Sequence, residues 1–398
     1  MRQRPNSRPH RVLAAVYLLL FGYVGIYLPW FPPLLAERGF GPQEIGFSLA
    51  LVSISRVVLP PLWGLIADRL RSRRRILVVC ALLAGAAMSL QAADWTQGSR
   101  MAWLFVHGFF LVPLFPLVDA VTLAALGPRS ELYGKIRLWG SVGFIVASLG
   151  FGAIVRQGGL FLVPWGAGLS LALAGLLVIG IGGVSGAGSP AGAPAVPRTR
   201  PRRMPWSLLL PLIGAAALGQ ASHGPYYAFF TLQMEEQGLA PTSIGALWAW
   251  AVVAEVVLMA ISPQLLQRVG LMQAFRWALA LTILRWALYA ASPSVSWLVA
   301  GQALHAASFG LLHVATIQLV NRLSPTGRKA LGQTVLSACA YGGGIGSGLY
   351  LAGRFRVPLG DEGLYAGAAA LCLAGLLVTL LLPKRVDPPA PSDADSGD

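Results

Sequence analysis

The chain has 398 residues, 56% hydrophobic and only 11% charged, against about 25% charged in a soluble domain, so it is not an ordinary soluble protein. Its net charge of +15 and pI near 10.6 would suggest nucleic acid in a soluble protein, but here the basic residues fall in short loops between apolar runs. Cys80, Cys339 and Cys372 lie inside apolar runs without ligand spacing, which excludes a disulfide framework and a zinc site.

A bilayer crossing takes roughly 20 mostly apolar residues, and twelve such runs follow in order. Arg2, Arg4, Arg8 and Arg11 precede the first, at 12–36. An Arg-rich start before an apolar run resembles a signal peptide, but no small-residue cleavage site follows and many more runs do. This run carries Tyr17, Tyr23, Tyr27 and Trp30, and Trp30 is expected at the membrane interface. The second run, 43–66, holds Arg56 and ends in Gly64-Leu-Ile-Ala-Asp68-Arg69, with Arg73, Arg74 and Arg75 beyond. The third is 75–93, and the fourth, 101–127, contains Asp119. The fifth, 137–156, begins on Arg137 and contains Phe144; the sixth is 160–184.

Ser185–Pro205, rich in Gly, Ala and Pro and ending in Arg198, Arg200, Arg202 and Arg203, reads as a flexible linker between two six-helix bundles, 1–184 and 206–384. The seventh run, 206–236, brings His223-Gly-Pro225 with Tyr226, Tyr227, Phe229 and Phe230. Gly and Pro beside a titratable ring loosen a helix as a gate requires. Then come 241–267 with Glu255, 272–292 with Arg285, 295–322 with His305 and His313, 329–353 and 362–383. The tail, 385–398, is expected to be disordered.

The basic residues at the N-terminus, after the second run, in the linker, at Arg129, Lys135, Arg322, Arg328 and Lys329, and at Lys384 and Arg385 share one side. By the positive-inside rule both termini are cytoplasmic. The halves also repeat. Gly39-Phe-Gly-Pro-Gln-Glu-Ile-Gly46 parallels Gly238-Leu-Ala-Pro-Thr-Ser-Ile-Gly245 at an offset of 238 − 39 = 199. The same offset sets Arg56 opposite Glu255, and an offset of 194 from Trp103 to Trp297 sets Asp119 opposite His313. Repeated six-helix units with functional groups at matching depth build alternating-access transporters.

Arg56, Asp119, Glu255 and Arg285 fall near the middle of their runs, where each costs roughly 2.5–3.5 kcal/mol if it faces lipid. Buried pairs that only tie helices together are one account of them. Gly, Ala and Ser at helix contacts would serve that purpose more cheaply, so a water-filled ionisable cavity is the better reading. Arg56, Arg137 and Arg285 against Asp119 and Glu255 leave one surplus positive charge. A guanidinium binds a carboxylate in bidentate fashion, so the surplus favours an anionic ligand. Position alone leaves Arg137 either in the cavity or snorkelling to water from its helix end. Tyr and Phe of the first and seventh runs would pack a ring-bearing substrate.

The loop from Gly64 through Asp68-Arg69 to Arg75 resembles the signature loop of the major facilitator superfamily, with Arg71-Ser72 intervening where the family usually has a glycine. Its implied role is a cytoplasmic latch, Gly64 allowing close helix approach. Pro116-Leu-Val-Asp119-Ala, Tyr133-Gly-Lys-Ile-Arg137-Leu-Trp-Gly-Ser-Val-Gly143, Ala251-Val-Val-Ala-Glu255-Val, Leu284-Arg285-Trp286 and Leu304-His305 resemble the bacterial phenylpropionate permease and lactose/proton symporter-like group. That resemblance implies an all-α integral membrane fold of twelve helices in two pseudo-symmetric bundles. It implies Asp119 and Arg137 as ligand residues, Phe144 at a position that stacks on substrate, and Glu255, Arg285 and His305 in coupling. Ser308 stands where the lactose symporter has its proton-carrying glutamate, Gln302 where it has a lysine, and Arg56 has no charged counterpart there. The sugar-symport proton route therefore does not carry over unchanged.

The expectation is proton-coupled uptake of a small organic anion of the phenylpropionate type, in the bacterial inner membrane. Arg56 and Arg137 would hold the carboxylate, Asp119 would position Arg137, and Tyr23, Tyr227 and Phe144 would line the site. Glu255 would carry the proton, His305 and His313 would assist, and Arg285 would swing towards or away from Glu255. The proton is the coupling ion and no cofactor is expected. The partners are substrate, protons and the lipid bilayer, without nucleic acid, and the chain is expected to be a monomer. Efflux of a drug or metabolite, and symport of a sugar or nucleoside, are the alternatives. A membrane enzyme is disfavoured because no P-loop, HExxH or nucleophile motif occurs, and a transport-dead sensor because no signalling domain is attached.

Overall fold

The computed structural model describes residues 8–70, 72–180, 203–291 and 294–383; among them there is no strand, and the helices make twelve crossings. In the first half these are α1 (Arg8–Glu37), α2 (Pro42–Val58) with α3 (Pro60–Leu70), α4 (Arg73–Ser89), α5 (Gln97–Leu111) with α6 (Leu114–Leu126), α7 (Tyr133–Gly158) and α8 (Leu162–Ile179). In the second half α9 (Trp206–Ala221) and α10 (Gly224–Glu236) form the seventh crossing, then come α11 (Pro241–Val269) and α12 (Leu271–Ala291). The tenth joins α13 (Val295–Ala303) to α14 (Leu312–Leu323) through a π-helical turn, Ala306–Leu311. The eleventh runs from α15 (Lys329–Leu336) through a second π-helical stretch, Ser337–Gly344, into α16 (Ile345–Val378), which turns back at Gly360 to make the twelfth. The linker before residue 203 and the tail 385–398 lie outside the described residues.

Eight helical stretches are long and apolar enough to cross a membrane, one of them holding both the eleventh and twelfth crossings. The three crossings outside that set are informative. The second bends at Leu59, the seventh breaks at Ser222-His223, and the ninth carries Arg276 and Arg285. Interrupted or charged helices persist at membrane depth only where protein or a cavity surrounds them.

The repeated octapeptide does the same work in both halves. Gly39 and Gly238 sit at φ +81° and +80°, stopping the first and seventh crossings with a backbone shape that other residues rarely adopt. Pro42 and Pro241 then start α2 and α11 at a position that needs no N–H donor. One turn later, Gly46 and Gly245 lie against the backbone of the opposite half. A Cβ on Gly46 would stand 2.5 Å from the Leu349 carbonyl oxygen, and one on Gly245 2.4 Å from that of Ser148. Only glycine permits such backbone approach.

These contacts make two seams, α2 against α16 and α7 against α11, both near the face opposite the chain termini. The α2 seam continues to Val57, whose side chain meets Gly342. On that far face Arg356 pairs with Glu236 at 2.9 Å and with Asp361 at 3.0 Å. Towards the terminal face the halves part: α3, α6, α14 and α15 make their main contacts inside their own bundle. Accordingly, no atom lies within 4 Å of a Cβ placed on Gly64, so the close approach expected there is absent in this state. Arg69 is exposed, and the side chain of Asp68 lies outside the described residues. Trp30, expected at the interface, is instead fully buried in the core of the first bundle.

Candidate functional site

Between the seams and the parted ends, α1, α2, α6 and α7 of one half face α10, α11 and the tenth crossing of the other. The first half supplies two arginines. Arg137, one turn into α7, lies flat over the Phe21 ring at 4.0 Å and 5.6 Å from the Tyr17 ring. Arg56, near the end of α2, is exposed, and its charge bears on the hydroxyls of Tyr23, Tyr27 and Tyr227. Neither guanidinium has a hydrogen-bond or ion-pair partner among the described residues. Tyr227 thus brings the second half to Arg56, and the Arg137 charge in turn bears on Glu255 and His313.

Asp119 does not pair with Arg137 as expected. It accepts a hydrogen bond from the Tyr17 hydroxyl, because α1 passes closer to α6 at this level than the arginine does. Tyr23 stacks on Tyr27 at 5.5 Å and Tyr27 on Phe31 at 5.0 Å, forming an aromatic column down α1. The Tyr27 hydroxyl is buried without a partner. Phe144 is 6% exposed, and its backbone lies where a Cβ on Gly25 would stand 2.5 Å from its carbonyl oxygen. The α1–α7 contact therefore fixes it tightly.

The second half holds one arginine, fully buried. Arg285 donates from Nη1 to Ser308 Oγ at 2.9 Å and to His305 Nδ1 at 3.0 Å, and from Nη2 to Gln302 Oε1 at 3.3 Å. It also lies over the rings of Tyr226 and Trp286 at 4.4 and 4.5 Å, contacts worth about 0.5–2 kcal/mol each. Tyr226 donates to Gln302 Oε1 at 3.0 Å. No carboxylate touches Arg285. His305 stands between it and Glu255, its Nε2 at 3.7 Å from Glu255 Oε2, so the direct Arg285–Glu255 approach expected from sequence is replaced by a bridge.

A guanidinium only donates, so His305 Nδ1 must be the accepting nitrogen and Nε2 carries the hydrogen that faces Glu255. His305, Phe309 and His313 stack along the tenth crossing at 5.5 and 5.9 Å, with planes 5° and 1° apart. His313 Nδ1 meets the Tyr341 hydroxyl at 2.5 Å and lies outside the Arg285 cluster. His107 belongs to no sequence motif, yet it is fully buried in the first half. Its Nε2 is 2.7 Å from the Tyr23 hydroxyl and its Nδ1 2.9 Å from the Ala84 carbonyl. Only its place on an apolar helix, where a polar ring needs partners, could have signalled it. Among the described residues no group of three His, Cys, Asp or Glu side chains could hold a metal ion.

Two pseudo-equivalent bundles around an ionisable cavity point to a transporter, and known proteins decide the family. A family model described as the MFS_1 like family matches residues 10–356. The chain belongs to that family. This major facilitator chain is 28% identical over 389 residues to the "Probable 3-phenylpropionic acid transporter" of Escherichia coli (strain K12), covering 94% of this chain and 98% of the relative. It is 27% identical over 389 residues to the maltose permease of Geobacillus stearothermophilus, covering 94% of each. Its fold is similar to the crystal structure of the nucleoside transporter NupG, with a TM-score of 0.79 at 16% identity over 95% of this chain and 100% of that one. The protein is a multi-pass membrane transporter of the major facilitator type and not an enzyme.

Proposed function

We propose that this transporter takes up a small organic anion, a phenylpropionate-type aromatic acid, together with protons across the bacterial cytoplasmic membrane. The observation that carries the reading is that Arg56, Arg137 and Arg285 all face the site without a carboxylate partner. The nearest acids are Asp119, held by Tyr17, and Glu255, facing His305. Unpaired guanidinium groups inside a membrane protein need an anion, and a carboxylate offers the bidentate fit. The aromatic column of Tyr23, Tyr27 and Phe31, with Tyr227 opposite, suits a ring behind that carboxylate. The printed name of the Escherichia coli relative agrees with this substrate class.

In this reading Arg56 and Arg137 grip the carboxylate, and the Tyr27 hydroxyl donates to it. Glu255 takes the coupling proton. His305 cannot accept a second proton while its Nδ1 is occupied by Arg285, so it fixes the spacing of Arg285 and Glu255 and gains a proton only when Arg285 moves. With both termini cytoplasmic, the parted terminal face opens inward, and the far-face seams are the closed outer gate.

The test is uptake of labelled phenylpropionate-type acids into oriented vesicles, with and without an inward proton gradient. Gradient-driven uptake by wild type, lost in Arg137→Lys and in Glu255→Gln, supports the reading. Wild-type indifference to the acids, with competition by uncharged sugars or nucleosides instead, would overturn it.

A further inference from the structure

The two halves contain matching hydrogen-bonded pairs that bear no charge. In the first, Tyr23 of the first crossing meets His107 of the fourth; in the second, His223 of the seventh meets Ser308 of the tenth, Nε2 to Oγ at 3.3 Å. The offsets are 223 − 23 = 200 and 308 − 107 = 201, close to the 199 of the octapeptide repeat. The positions are therefore equivalent, with histidine and hydroxyl exchanged between them.

Each histidine is held by a backbone carbonyl: His107 Nδ1 by Ala84 O at 2.9 Å, and His223 Nδ1 by Gly219 O at 2.9 Å. A carbonyl only accepts, so both rings carry hydrogen on Nδ1 and offer a lone pair at Nε2. The hydroxyl beside each ring must then donate to it, which leaves the hydroxyl oxygen with lone pairs alone. At Ser308 that oxygen accepts from Arg285 Nη1 at 2.9 Å. At Tyr23 the neighbouring cation is Arg56. The fourth crossing is seated there by Gly108, whose Cβ would stand 3.2 Å from the Oγ of Ser55, the residue before Arg56.

We propose that His107 and His223 are positioning residues that aim the substrate arginines through a neutral hydroxyl. His107 acts on Arg56 through Tyr23, and His223 acts on Arg285 through Ser308. A carboxylate in the same place would hold the arginine as firmly but would also neutralise it. A hydroxyl with its proton locked away holds the guanidinium and leaves its charge for the anion. This rests on the anion-transport reading above for its purpose, but not for its geometry.

Two measurements on the full chain in nanodiscs test it. Nitrogen-15 spectra of labelled histidine should show His107 protonated at Nδ1 and unprotonated at Nε2, and removal of the ring in His107→Leu should shift the Arg56 side-chain N–H resonance. In uptake assays His107→Leu and Tyr23→Phe should each raise KM for the aromatic acid about tenfold at unchanged kcat, as expected for a lost hydrogen bond to a charged group. The double variant should also remain near tenfold, because the two act as one unit. His107→Gln, which keeps an acceptor where Nε2 stood, should restore most of the affinity, and Tyr23→Phe carries the test if His107→Leu fails to fold. An Nε2-protonated His107, an unmoved Arg56 resonance, or additive KM effects would overturn the proposal. If wild type transports no aromatic acid, the substrate reading falls, and the two spectroscopic readouts still decide the positioning role.

Discussion

Arg137 and Arg285 are treated in opposite ways by the two bundles. Arg285 is fully buried, with three neutral hydrogen-bond acceptors and two aromatic faces around it, while Arg137 is partly exposed and rests on one phenylalanine ring with no hydrogen bond. A buried guanidinium whose donors are taken belongs to the fabric of its bundle. One with all donors open is free to bind ligand. The contrast assigns substrate capture mainly to the first half and the state-dependent network to the second.

The sharpest way to break that contrast is to replace each arginine and read stability beside transport. Arg285→Gln should lower thermal stability measurably and reduce uptake by a factor of about 100 or more, because Ser308 and His305 lose a charged donor, each bond worth about 1.5–3 kcal/mol. Arg137→Gln should remove a comparable share of uptake and leave the melting temperature within the scatter of surface substitutions, about 0.5 kcal/mol. Equal thermal shifts in the two variants would sink the division.

Next in size, Glu255→Gln should stop accumulation against a gradient but preserve exchange of labelled for unlabelled acid, since the substrate grip lies in the other half. Loss of exchange as well would place Glu255 in the substrate site. A smaller effect is expected at the outer seam. Gly245→Ala sets a Cβ 2.4 Å from the Ser148 carbonyl oxygen, so the seam must shift. Cysteines reporting on the far face should gain accessibility several-fold, following the population shift, and unchanged labelling would show the seam to be compliant. Smallest is Asp119→Asn, which keeps an acceptor for Tyr17 and removes one negative charge from the region of Arg137. KM for the acid should change by less than about threefold, and a hundredfold loss would restore Asp119 as a partner of Arg137.

The twelve crossings were legible because apolar length and the glycine–proline octapeptide are local signals, and the octapeptide serves the same turn and seam in both halves. The cavity arginines were legible as well, since a charge in mid-membrane announces itself. Partners were not. Asp119 bonds to Tyr17, 102 positions away, and Arg285 reaches Glu255 only through His305. Such pairings depend on helix rotation and tilt, which hydropathy does not encode. Trp30 shows the same limit, because its indole faces the bundle core and not the interface. His107 was invisible because nothing in its sequence surroundings separates a hydrogen-bonded ring from a core one.

The glycine seams have a mechanical consequence. Where backbone lies on backbone there are no interlocking side-chain teeth, so each crossing point is a fulcrum on which a helix can roll. From Gly245 to the end of α11 at Val269 the lever is about 36 Å long at 1.5 Å per residue. A tilt of about 10° at the fulcrum then carries its free end about 6 Å, roughly the width of an aromatic ring. Small displacements at the closed face are thus geared up into a substrate-sized opening at the other.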